Sequence, residues 1–398
     1  MSYARAASSE AVFLSLIVGC FMLQPLSTDL YLASLPHLVR YFNAPVAQVQ
    51  HTLPIFVLGF GLARLAAGPV SDRLGRRPVL RAGVALYVLS SVICAMAPTL
   101  AWLLAGRLGQ AVGCCAAVLV CRAIVRDCFE AGEGAHFFAR TSVMISAAPP
   151  LGPVAGSYLQ TAFGWRAAFV VLAVFSSAVL VLVWRAQRES HTEPDPAALE
   201  WRVLWRNYGT IAGTRAFWAY ALPGMLSFMA LFTFIAGSSF VLIDILRVPT
   251  KYYGFCFAIG VVGYIAGALL CRRMLRRWVI SRTLRTGAAL CACAGGALLV
   301  AALAHAYHWA IVVTCQFFTM KAHGINFPCA QAGTVAPFAR TAGAAAGLFG
   351  CITMLGALGV SLILGAPHDG TLMPLSLMSA LTGLATLAAA LAFRGSQR

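Results

Sequence analysis

Twelve runs of mostly apolar residues follow one another along the 398-residue chain, near 11–36, 48–68, 79–97, 99–121, 137–161, 166–184, 215–245, 252–271, 283–304, 309–332, 342–365 and 372–393. About 20 such residues carry a helix across the hydrocarbon of a bilayer. Inside that layer the backbone can bond only to its own helix or to a closed barrel. Runs this long and this numerous specify an all-α integral membrane protein with 12 transmembrane helices. The composition agrees, with 60% hydrophobic and 10% charged residues, against roughly 25% charged in soluble domains. A net charge of +17 in a soluble protein would point to nucleic acid. Here the cations stand in short connections between apolar runs, so they report topology, and nucleic-acid binding is set aside. Most of the 13 cysteines lie inside apolar runs, where cysteine behaves as a small hydrophobe. None forms a C-x-x-C pair, and neither a disulfide nor a metal site is expected.

The longest polar stretch, 185–214, holds Glu189, Glu193, Pro194, Asp195, Pro196 and Glu200. It divides residues 1–184 from residues 215–398, six runs on each side, and Ala197–Tyr208 within it reads as a surface amphipathic helix. Arginines cluster in the even-numbered connections: Arg73, Arg76 and Arg77, Arg126, Arg185, Arg188, Arg202 and Arg206, Arg272, Arg273, Arg276 and Arg277, and Arg340. The odd-numbered ones carry little beyond Arg40, Arg166, Arg247 and Lys251. Positive short loops stay cytoplasmic, so both termini are expected there. The first run lacks the flanks of a cleaved signal and is expected to be retained.

The connection between the second and third runs reads Gly68-Pro-Val-Ser-Asp72-Arg73-Leu-Gly75-Arg76-Arg77-Pro78. Charge this dense belongs at a membrane face, in a short glycine-bearing turn. Its G-x-x-x-D-R-x-G-R-R spacing resembles the loop signature of the major facilitator superfamily. Arg107-Leu-Gly-Gln110-Ala-Val-Gly113 is similar to that family's fourth-helix motif. The fifth run contains Pro149-Pro150-Leu-Gly152-Pro153-Val-Ala-Gly156, which resembles the G-P-x-x-G antiporter motif, with Ala148 and Ser157 at positions where glycines often stand. The first run closes with Asp29-Leu-Tyr31-Leu-Ala-Ser-Leu-Pro36, similar to the D-x-Y-L-P-x-x-P pattern of Bcr/CflA-type drug:H⁺ antiporters. A degenerate echo of the loop signature, without an acid, recurs at Gly267–Arg277. The resemblance implies two six-helix halves around a midplane site and a monomer in the bacterial inner membrane.

Asp29 and Arg107 are charges inside apolar runs, where insertion costs about 2.5–3.5 kcal/mol each. Counted from His37 and from Thr99, both lie about 12 Å below the outer surface at 1.5 Å per residue. Equal depth permits an ion pair or a shared cavity wall. Burial makes a carboxyl hold its proton and a facing cation makes it release it. The pair therefore reads either as a proton-coupling device or as a static link between two helices. The resemblance favours the first reading, with Pro149, Gly152, Pro153 and Gly156 as a bend against leakage or an ordinary small-residue packing face. It implies a cytoplasmic latch formed by Gly68, Asp72, Arg73, Gly75, Arg76 and Arg77, with Asp72 engaging a helix N-terminus of the second half and Arg126 and Asp127 nearby. A solvated loop kept for topology is the plainer alternative.

Candidate substrate contacts are Met22, Asp29, Tyr31, Arg107, Gln110, Met225, Phe228, Phe232, Phe317 and Lys321. Lys321 stands near the middle of the tenth run, and the resemblance puts it in or near the substrate path, with a structural role as the alternative. His323 is a further protonatable group at that depth. Asp244 is a mouth residue. The expected function is proton-driven export of a small amphipathic compound, phenicol- or bicyclomycin-like, by alternating access. Import or facilitation of a metabolite on the same fold is the rival. No nucleotide-binding P-loop, H-E-x-x-H or G-x-S-x-G motif is present. Neither an enzyme nor a cofactor is therefore expected, and the proton gradient supplies the energy.

Overall fold

The computed structural model describes residues 10–129, 148–190, 201–365 and 370–393, and single positions 133, 137, 140, 141, 144 and 145. The described elements are all helical. They are α1 (Glu10–Asp29), α2 (Leu35–Phe42), α3 (Val46–Gln50), α4 (Thr52–Leu74), α5 (Arg76–Met96), α6 (Leu100–Cys128), α7 (Ala148–Phe163), α8 (Arg166–Ala186), α9 (Trp201–Ala212), α10 (Arg215–Ser239), α11 (Thr250–Leu275), α12 (Ile280–Leu303), α13 (Trp309–Val335), α14 (Ala342–Gly365) and α15 (Met373–Ala392). Ten spans among the described residues are long and apolar enough to cross a membrane. The protein is thus a multi-pass membrane protein. The other two expected passes fall on α7, described over 16 residues, and on α13, which is 27 residues long but interrupted by Gln316, Lys321, His323, Asn326 and Gln331.

The chain packs as two units, Met1–Ser34 with Ile55–Glu200 and Leu35–Pro54 with Trp201–Arg398. In the first, α5 lies along α6 and α8, and α1 packs against α6, α7 and α8. In the second, α12 lies along α13 and α15, and α10 packs against α13, α14 and α15. The first, third, fourth and sixth passes of each unit thus pair in the same way, a repeat that the sequence shows only at its charged loops. The amphipathic helix falls on α9, described over Trp201–Ala212; residues 197–200 of the expected stretch lie outside the described set. Its Ile211 joins Phe217, Ala221, Ala330, Ala345 and Phe349 in one buried cluster. In the second unit α2 approaches the π-helical turn Phe240–Ile245 that ends α10, and Arg40 reaches Asp244 at 3.3 Å with both side chains open to solvent.

Two expectations need correction. The charged signature is not a loop: α4 runs through Leu74 and α5 begins at Arg76, so its charges ride on helix ends. Helices continue past the hydrocarbon as long as nothing stops their backbone. Here the stop is Gly75, at φ 92° and ψ 158°, a region open essentially to glycine alone. Nor does the first pass run unbroken to Pro36. It stops at Asp29, turns at Leu30 and Tyr31, makes a 3₁₀ turn at Leu32–Ser34, and resumes as α2. Pro36 has no amide hydrogen, and its ring crowds the carbonyl four residues back, that of Leu32.

Substituting Gly75→Ala should cost about 1–3 kcal/mol, the usual strain of that backbone region. The check is the thermal denaturation midpoint in detergent, and an unchanged midpoint would show that the turn can relax.

Candidate functional site

Asp29 is the last residue of α1, so its carboxyl lies where the helix has stopped supplying backbone partners. Its side chain is buried, with 6% of the residue exposed, and Oδ1 accepts a hydrogen bond from Thr28 Oγ1 at 2.9 Å. Helix α7 closes over this break. A side-chain carbon at Gly152 would lie 3.0 Å from Asp29 Cβ, and one at Gly156 would collide with the Leu30 carbonyl. The G-P-x-x-G residues therefore pack directly on the carboxyl-bearing break, an arrangement that spacing alone does not reveal. Pro149 is half-buried and Pro153 is buried within α7. Ser157 is turned inward and donates to the Pro153 carbonyl at 2.7 Å.

Arg107 on α6 is fully buried. Its Nη1 donates to the Ser27 carbonyl and to Gln110 Oε1, each at 2.9 Å. The guanidinium carbon stands 4.3 Å from the centre of the Tyr31 ring and 4.5 Å from that of Phe56. Such stacking stabilises a desolvated cation. Gln110 passes the network on to Ser91 Oγ at 2.8 Å, and Ser27 Oγ meets Tyr87 Oη at 2.5 Å. Arg107 thus bonds the backbone two residues before Asp29, while no ion pair joins the two side chains among the described residues. Ser27, Phe56, Tyr87 and Ser91 were not singled out from sequence. Tyr87 and Ser91 carry a faint signal, hydroxyl side chains one turn apart in an otherwise apolar run. Met22 lies half-buried on α1.

At the other end of this unit, Arg76 collects the signature. Its side chain ion-pairs with Asp72 and, at 3.0 Å, with Asp127, and donates to Ser71 Oγ at 2.7 Å. The positive end of α5 is covered by Glu189, whose carboxylate accepts from the amides of Arg76 at 2.9 Å and Arg77 at 3.0 Å. An acid at that position meets both the unpaired amides and the macrodipole. The sequence identified Glu189 only as a charge in the polar stretch. Arg73, Arg77 and Arg126 are exposed, and a side chain at Gly68 would meet nothing within 4 Å.

In the second unit Phe228 stacks on Phe232 with centroids 6.0 Å apart, and Met225 packs beneath Gly356. His323 lies 5.1 Å from the Phe327 ring and bonds Ser227 Oγ through Nδ1 at 3.1 Å. Asn326 donates to the same hydroxyl at 3.3 Å. The Phe317 carbonyl is set against Gly263. Lys321 lies in a groove with Arg272 and Arg273 of α11 and Arg276 just beyond its end.

The Major Facilitator Superfamily model matches residues 17–361, and the chain belongs to that family of membrane transporters, not to an enzyme family. It is 26% identical over 381 residues to a bicyclomycin resistance protein homolog of Haemophilus influenzae, covering 96% of each chain. It is 28% identical over 349 residues to the multidrug resistance protein MdtL of Escherichia coli O81, covering 86% of each. These relatives agree with the Bcr/CflA-type resemblance of the first pass. Among solved structures, a D-xylose-proton symporter superposes with a TM-score of 0.72 at 15% identity, over 94% of this chain and 97% of that one. A peptide transporter superposes with a TM-score of 0.76 at 13% identity, over 96% of this chain and 94% of that one. These two likenesses concern the fold alone.

A methyl at Gly156 must push α7 off the Leu30 carbonyl, so Gly156→Ala should cost about 1–3 kcal/mol, as overpacking does. Gly68→Ala should leave the thermal midpoint unchanged or slightly higher, since alanine favours a helix. Equal midpoints for the two variants would contradict the close approach of α7.

Proposed function

We propose that this protein is a proton-coupled exporter of small amphipathic compounds, with Asp29 as the proton carrier and Arg107 as the fixed cation beside it. The observation that supports this most is the placement of one buried carboxyl at a helix break, beneath the glycines of α7 and two residues after the backbone carbonyl that Arg107 bonds. A neutral carboxyl tolerates such a place. An ionised one needs water or a cationic or donor group to meet it. Proton and substrate therefore compete for Asp29: a bound proton releases the substrate, and a lost proton restores affinity. The names of the two relatives support a drug-sized substrate.

Arg107 has its Nη1 bonds committed to Ser27 and Gln110, so it keeps the surroundings polar without quenching the carboxylate. Tyr31 and Met22 in the first unit, and Met225, Phe228, Phe232 and Phe317 in the second, supply apolar contact area. Arg76 with Asp72, Asp127 and Glu189 serves as the latch on the cytoplasmic face, opening and closing as access alternates. The chain works as a monomer in the bacterial inner membrane with both termini cytoplasmic. It needs no cofactor, since the proton gradient drives it.

The test is substrate-induced proton release from the purified protein, for wild type and Asp29→Asn, with phenicols, bicyclomycin-like compounds, lipophilic cations and zwitterionic metabolites. Release by one class, falling to background in the variant while binding persists, is the expected result. Binding without release, alike in both proteins, would overturn antiport in favour of a facilitator.

A further inference from the structure

The two units treat their charged helix ends in opposite ways. In the first, Arg76 is met by Asp72 and Asp127, and Glu189 covers the helix start. The corresponding end of α11 carries Arg272, Arg273, Arg276 and Arg277, with no acid among them. From residue 201 onward the sequence holds 15 lysines and arginines but only two acids, Asp244 and Asp369. Asp244 is engaged with Arg40. This half of the protein has at most one further acid in its sequence for the four arginines Arg272, Arg273, Arg276 and Arg277.

Arg272, Arg273 and Arg276 line a groove of about 600 Å³ between α11 and α13, together with Lys321 and the apolar Ala266, Leu269 and Leu270. A second hollow of about 460 Å³ shares Arg273 and Arg276 with it and adds Met274, Arg277 and Trp278. None of Arg272, Arg273, Arg276 or Lys321 forms an ion pair among the described residues. Leu269 is 58% exposed and Ile265 38%, as expected for a face turned to lipid. Lys321 sits where the two helices touch, since a side chain at Gly267 would collide with its carbonyl. Gly267 is nine residues from Arg276, about 14 Å along a helix. The groove is therefore apolar at its inner end, with one amine that can extend toward the membrane face, and cationic at its outer end.

We propose that this groove holds an anionic phospholipid, its phosphate between Arg273 and Arg276 and one acyl chain over Ala266, Leu269 and Leu270. Arginine's planar fork suits a phosphate, basic pockets between helices at a membrane face select anionic headgroups, and Trp278 is of the residue type that settles at that interface. A soluble anion would use the cations but leave the apolar half of the groove uncovered.

The test is native mass spectrometry of the full chain in detergent, titrated with dioleoylphosphatidylglycerol or with dioleoylphosphatidylcholine. Wild type should retain the glycerol lipid in preference. The double variant Arg273→Gln/Arg276→Gln should lose about thirty-fold in that affinity, at the usual contribution of two interfacial cations. Arg273→Lys/Arg276→Lys should keep most of it, which separates lost charge from lost folding, and the exposed Arg188→Gln in the other unit should keep all of it. Equal retention of the two lipids by wild type would overturn the proposal, and so would undiminished binding in the glutamine variant. Displacement of the glycerol lipid by equimolar inorganic phosphate would overturn it in favour of a soluble-anion site.

Discussion

A guanidinium with no exposed surface must be accommodated before anything else in the first unit can settle. Hydrocarbon offers a guanidinium no partner. Three helices arrange polar and aromatic groups around it: the Ser27 carbonyl from α1, Gln110 from α6, and Ser91 from α5 behind Gln110. The Tyr31 and Phe56 rings cover its faces. Because these bonds fix the position of Ser27, they also fix the end of α1, and with it the place where Asp29 emerges.

The break that follows Asp29 would be costly in lipid, where every free backbone group needs a partner. It is tolerated because α7 comes in close, an approach that requires glycine at 156 and that glycine at 152 eases. Thus the acid, the break and the small-residue helix form one packing solution. A carboxyl at a break, rather than midway along a continuous helix, can change its charge without disturbing helical hydrogen bonds around it. The proposed coupling would need such a separation between a rigid cation and an adaptable acid.

The same pairing of passes is used in both units, yet their polar content differs. The first spends its acids on Arg76 and the start of α5. The second has almost none to spend, and its central polar group is the trio Ser227, His323 and Asn326 between α10 and α13. A shared backbone design therefore carries two different electrostatic surroundings.

Hydropathy alone determined that this chain crosses the membrane as helices. The dense charges at Gly68–Pro78, the pairing of Arg107 with Gln110, and the G-P-x-x-G run were enough to indicate the family. These signals are local, since they depend on residue type and on spacings of a few residues. What only the tertiary structure decided involves contacts distant in sequence. That α7 rests on the break after Asp29, that Glu189 covers the start of α5 from 113 positions away, and that Lys321 joins the α11 arginines are all of this kind. Helix ends were misjudged for a related reason: polarity marks where hydrocarbon stops, whereas a helix stops where its backbone is blocked, at Gly75 by conformation and ahead of Pro36 by a missing hydrogen bond. In an apolar sequence many helix faces look alike, and which of them meet is settled by close packing, to which a linear pattern is blind.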